Sequence, residues 1–241
     1  MQLGLEPSER FLSLFATHLR SPIWYQSVGR HIGFRYTAPD ARHFCLLKGV
    51  RAVSGMNACV ELARGGYTQE IAVIVRTIWE CTSLINWVKL TAEPDGSLRS
   101  DPQLTYVKTY FEDYRRDQPG QSLKLSVRQA HIHRDVGAWL DEGAERVGVE
   151  IGSGARRMSN VYQANSSYVH ARYPEVMDLF GGRPGVFHLH GMRGTPKDAE
   201  NTKIIETYAT TVDQAIVSIA RHFKPPFLEG DAMFNAWISV L

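Results

Sequence analysis

Residues 71 to 88 read IAVIVRTIWECTSLINWV, and the only charged side chains among them are Arg76 and Glu80. Such a segment has few ways to fold. It is long enough to tempt a membrane assignment, but two ionised groups at its middle would be expensive in hydrocarbon. Apolar side chains lie nearly all round the helix it would form, so a soluble central helix enclosed by other helices fits better. A buried charge left alone is costly, so each of the two needs a partner. Arg76 and Glu80 are four residues apart on one face and can partner each other, with Ser83 extending that face and Asn86 nearby. Two readings follow: a polar pocket inside a helical bundle, or an internal ion pair that fixes helix register.

The rest of the chain repeats the helical period. Phe11, Leu14, Phe15 and Leu19 share a face in a first helix over about 7–20. Residues 21–37 hold Pro22, Gly29 and Gly33 among aromatics and read as a packed connection. A second helix starts near Pro39-Asp40 and runs to Arg64. Its stripe of small residues, Ala52, Gly55, Cys59 and Ala63, lets a neighbour approach closely. Gly65-Gly66 stops it, and further helices are expected over about 68–91, 102–117, 122–147, 155–172, 198–223 and 230–241. The last carries Met233, Phe234, Trp237 and Ile238 and should dock on the bundle or on a second subunit.

Residues 173–197 differ, because five glycines and three prolines rule out a long helix, and the alternation of VFHLH leaves a short strand or a tucked loop open. The expectation is an all-α, single-domain bundle over residues 1–241, with about seven or eight helices and one irregular Gly/Pro-rich loop at 173–197. No nucleotide-binding glycine loop or nucleophile elbow is present.

Composition narrows the function. A net charge of +2 supplies no global basic field for bulk nucleic-acid binding. Arginine outnumbers lysine 20 to 7, which fits paired or buried charge and fits GC-rich codon usage equally. Cys45, Cys59 and Cys81 are scattered in apolar helical patterns and read as core thiols of a reduced, cytoplasmic protein. The N-terminus lacks the basic and apolar regions of a signal peptide, so no membrane association is expected.

A second polar stretch, NSSYVHARYPE, covers residues 165–175. At helical spacing Gln163, Ser167 and His170 share a face, with Ser166 beside it, and Pro174 is expected to end the helix. A histidine titrates near neutral pH and a neighbouring carboxylate tunes it. If this face meets Arg76 and Glu80, a catalytic constellation results; otherwise these residues face water.

Together, RTIWE at 76–80 and YQANSSYVH at 162–170 resemble a group of uncharacterised bacterial helical proteins known as a domain of unknown function. Their pattern is an Arg and Glu one turn apart on one helix, then a Ser shortly before Val-His on a later one. A looser resemblance is to HEPN-type bundles of toxin–antitoxin and phage-defence systems, many of them metal-independent ribonucleases. That resemblance implies an arginine that steadies a phosphate and a histidine that handles the ribose 2′-hydroxyl proton, often paired across a dimer. The sequence departs from the motif, since Gln163, Ala164 and Asn165 stand where the arginine serving His170 belongs. Arg128 with His133, and Arg183 with His188 or His190, match the spacing formally, but roughly two such matches arise from composition alone.

The functional expectation is a HEPN-like effector acting on RNA or a nucleotide. His170 is its acid/base, Arg76 stabilises phosphate, Glu80 orients one of them, and Ser166, Ser167 and Tyr168 line the pocket. Arg128 and His133 form a minor alternative. The competing expectation is a non-enzymatic helical scaffold that binds a ligand or a protein partner, with Arg76–Glu80 as a structural pair. No cofactor is expected. His131/His133 would diverge by about 200° on a helix, and neither they nor His188/His190 have an acidic or cysteine cluster beside them to complete a metal site. The apolar last helix and the 173–197 loop are compatible with a homodimer.

Overall fold

The computed structural model describes residues 4–26, 32–36, 40–112, 127–149 and 152–240. Within them the chain is an all-α bundle with one small hairpin. The helices are α1 (Glu6–Thr17), α2 (Ala41–Gly65), α3 (Thr68–Lys89), α4 (Asp101–Glu112), α5 (Gln129–Arg146), α6 (Gly154–Val169), α7 (Tyr173–Met177), α8 (Pro196–Phe223) and α9 (Ala232–Val240). The hairpin pairs β1 (Ile23–Gln26) with β2 (Ile32–Arg35) antiparallel. Of the expected helix over 122–147, the structure shows α5 from Gln129, and residues 122–126 lie outside the described residues, as do 113–117 of the expected fourth helix.

The centre of the fold is α3. It packs against α2, α5, α6 and α8, and Ile71, Val75, Ile78, Ile85, Trp87 and Val88 are buried along it. Among the described residues it is the one helix long and apolar enough to cross a membrane, and most of it is covered by protein. Buried side chains from α1 to α6, α8 and α9 form one contiguous cluster.

Local chemistry explains the boundaries. Asp40 sits just outside α2, in extended conformation, and its carboxylate accepts from the His43 N–H, satisfying a donor the helix start leaves orphaned. The helix ends at Gly66, φ +75°, where Gly66 N–H reaches Ala63 O and Tyr67 N–H reaches Leu62 O. That left-handed residue lets α3 fold straight back along α2. The small stripe on α2 then acts as read from the sequence: a Cβ on Gly55 would stand 3.0 Å from Ile78 of α3.

One expectation is corrected. The stretch 21–37, expected as a packed connection, is not packed at Trp24 and Phe34, although Tyr36 lies against the core. The described part is a hairpin whose Trp24 and Phe34, ring centroids 5.2 Å apart, are more than half exposed. Alternation in so short a stretch defines a strand pair without defining what covers it. The 173–197 stretch is irregular, as its glycines and prolines imply, and holds one short helix, α7, where Pro174 occupies a first-turn position that proline tolerates. It also has a single bridge, Phe180 to Phe187, in place of a strand. Its far end is pinned: Met192 is buried, and its N–H donates to Gly66 O at 2.7 Å. The last helix docks on the bundle through Phe234, fully buried, and through Trp237, whose Nε1–H donates to both Asp213 oxygens at 3.1 and 3.0 Å. Its apolar face therefore has a partner within the chain.

Candidate functional site

Arg76 joins α3 to α6. Its Nε–H donates to Glu80 Oε1 at 3.2 Å, Nη2–H to Tyr162 Oη at 2.7 Å and Nη1–H to Ser166 Oγ at 3.3 Å. The guanidinium carbon also lies 4.7 Å from the Tyr162 ring centroid. The Arg76–Glu80 pair is less enclosed than the sequence suggests, with side chains 18% and 35% exposed. An i,i+4 pair of this kind contributes only about 0.2–0.5 kcal/mol by itself, and the Arg-before-Glu order is the weaker one. The bonds to α6 matter more, because charge-assisted hydrogen bonds contribute about 1.5–3 kcal/mol each.

Behind Tyr162 stands His133 of α5, 3% exposed, ring centroid 5.3 Å from that of Tyr162. Its Nε2 faces Gln129 Nε2 at 3.1 Å and its Nδ1 faces Ser159 Oγ at 3.3 Å. The amide nitrogen of Gln129 can only donate, so Nε2 accepts and Nδ1 carries the proton, which makes the ring neutral. Burial also pushes the His133 imidazolium to lower pKa. Arg128, its formal partner by spacing, lies exposed at the start of α5, and no ion pair or hydrogen bond joins the two.

His170 lies at the exposed C-terminal end of α6, and its ring makes no hydrogen bond among the described residues. Arg76 bonds the residue four positions earlier instead. The helix stops before Pro174 acts: Ala171 adopts φ +44°, with its N–H on Tyr168 O and the Arg172 N–H on Ser167 O. A left-handed alanine is strained by about 1–2 kcal/mol. Ala171→Gly is therefore expected to raise stability by about 1 kcal/mol in urea unfolding.

The other pocket candidates divide. Ser166 joins Arg76. Ser167 is buried and its hydroxyl donates back to Ala164 O at 2.7 Å, and Tyr168 Oη reaches Asp178 at 3.5 Å, away from the arginine. Sequence reasoning did not assign a role to Tyr162, Gln129 or Ser159. Tyr162 stands four residues before Ser166 and so shares its face, a signal available in the pattern. Nothing local marks the contact between α5 and α6.

That contact rests on two glycines. Gly137 and Gly154 bring the backbones together, and both Asp141 oxygens accept from the Gly154 N–H at 2.8 and 3.0 Å, capping α6 from outside. Among the described residues no group of three His, Cys, Asp or Glu side chains is placed to hold a metal. The three thiols are buried, and burial pushes Cys45 up to about 12 and Cys59 to about 11, far from the nucleophilic thiolate.

The cluster is thus a polar seam through three helices, with its arginine largely occupied and its histidine neutral. No protein-family model, curated protein or solved structure matches the chain, so the meaning of this seam rests on its own chemistry.

Proposed function

We propose that the chain is a non-enzymatic helical scaffold that binds a ligand or a protein partner, and that the Arg76 seam holds α3, α5 and α6 in register. One observation carries this reading: three of the five guanidinium N–H donors are directed at Glu80, Tyr162 and Ser166. A catalytic arginine aims its donors at the place where negative charge develops. The neutral, doubly bonded His133 and the His170 ring, without a hydrogen bond among the described residues, fit the same reading, since a general base works from a positioned geometry.

The second reading is the HEPN-like effector acting on RNA or a nucleotide in a toxin or phage-defence setting. The observation in its favour is that His170 follows Ser166 by one helical turn, at an open helix end, while Arg76 already reaches Ser166.

End-labelled single-stranded RNA and thermal unfolding separate the two. The scaffold predicts no cleavage by wild type, His170→Ala or Arg76→Met. It predicts that Arg76→Met loses about 2 kcal/mol, because Glu80 and the α6 hydroxyls lose a half-buried partner, whereas His170→Ala stays within about 0.5 kcal/mol. Cleavage by wild type that vanishes in His170→Ala at unchanged Tm would reverse the order of the readings.

A further inference from the structure

At the other end of α3 from its turn with α2, a cavity of about 490 Å³ opens between α3, α5 and α8. Asn86, Lys89 and Leu90 line it from the end of α3, Trp139 from α5, and Arg221 and His222 from the end of α8. This volume suits a small organic molecule. We propose that the cavity binds a small molecule carrying an oxyanion head, a carboxylate or a phosphate, on an aromatic or apolar body. Lys89 and Arg221 hold the head, and Trp139 with Leu90 receive the body.

Basic residues in a helix's last turn often do no more than complement its dipole. Three observations take these two beyond that role. First, they come from different helices and converge on one cavity whose lining contains no carboxylate. Second, neither has an acidic partner within 4.0 Å among the described residues. Glu93, which acts on the neighbouring His222, is already bound to Arg99 at 2.6 Å.

Third, the surroundings hold the cations in place without neutralising them. Lys89 Nζ lies 5.9 Å from the Trp139 ring centroid. Arg221 donates one N–H to the Ile238 carbonyl of α9, which fixes it at the rim with other donors to spare. His222 donates Nε2–H to Ala92 O at 3.0 Å, so its ring is set and adds no charge in the neutral form. Burial, and then the Arg221 charge, push the Lys89 ammonium down to about 8, with Cys45 opposing. An anion between the two cations would remove that mutual repulsion. The site is remote from the Arg76 seam, and the proposal holds under either reading of that seam.

The test follows the Trp139 indole N–H resonance of the full chain by NMR, assigned with Trp139→Phe, during titration with benzoate, phenyl phosphate, inorganic phosphate and benzyl alcohol. The expected result is a saturable shift with benzoate or phenyl phosphate, weaker binding of inorganic phosphate, and no saturable shift with benzyl alcohol. Which of the two aromatic anions binds more tightly identifies the head group. Lys89→Met should weaken that binding about tenfold and Arg221→Gln at least about threefold, in proteins whose remaining resonances are unmoved. No saturable shift with either anion, equal binding of benzyl alcohol, or unchanged affinity in Lys89→Met would each overturn the proposal.

Discussion

Gly137→Ala is expected to cost about 3 kcal/mol and to lower Tm by about 6–12 °C in thermal unfolding. A methyl group there would stand 2.2 Å from the Ala155 nitrogen, 2.5 Å from its Cα and 2.8 Å from the Gly154 carbonyl carbon. These are backbone atoms, which cannot rotate aside, so the start of α6 must move away from α5. The movement pulls Gly154 from its Asp141 cap and separates His133 from Ser159 and Tyr162. The damage therefore reaches the Arg76 seam from a residue that does not touch it. Gly143 is the control on the same helix: nothing lies within 4 Å of its added methyl. Gly143→Ala should gain about 0.5–1 kcal/mol from helix propensity alone. Equal effects at the two positions would show that the close approach does not govern this contact.

Lys89→Met is expected to stabilise the protein by about 2 kcal/mol at neutral pH, with a gain that depends on pH. The ammonium sits among Asn86, Trp139, Arg221 and His222, with Cys45 also acting on it. Its pKa is about 8 in the fold against an ordinary 10.5, so the folded chain binds this proton less well than the unfolded one. Below about pH 8 both states carry the charge and the fold bears the full penalty. Between 8 and 10.5 the folded lysine releases its proton first and wild-type stability rises relative to Lys89→Met. Above that window both states are neutral and the penalty is gone. Full conversion of the shift corresponds to about 3 kcal/mol, and loss of the weak contact with Trp139 reduces the observable gain. Urea unfolding of both proteins at pH 7 and pH 10.5 measures the difference. A gap that does not narrow with rising pH would place its origin in packing. A destabilising charge kept at a cavity wall is the pattern expected where function opposes stability.

Much of the helical skeleton was legible in the chain because its causes are local. The 71–88 segment identified the central helix by having no polar face except one arginine and one glutamate. Gly65-Gly66 marked the turn because a left-handed residue is needed there and glycine supplies it without strain. The Arg76–Glu80 pair followed from the helical repeat. The stop of α6 was misread for the opposite reason. Proline is the conspicuous breaker in sequence, whereas Ala171 takes the left-handed turn with nothing in its chemistry to announce it.

Periodicity says which face of a helix is buried and is silent about what buries it. The helical repeat alone makes α3 central, puts Arg76 and Glu80 on one face, and puts Gln163, Ser167 and His170 on another with Ser166 beside it. Only the packing of the helices makes Arg76 bond Tyr162 and Ser166 while the His170 ring has no such bond among the described residues, seals His133 behind Tyr162, and brings Lys89 and Arg221 to one cavity. The physical reason is that an i,i+4 relation is fixed by helix geometry wherever the helix lies. A contact between helices depends on how ridges, glycines and caps set their approach, and here Gly137 and Gly154 set it where no repeat in the sequence points.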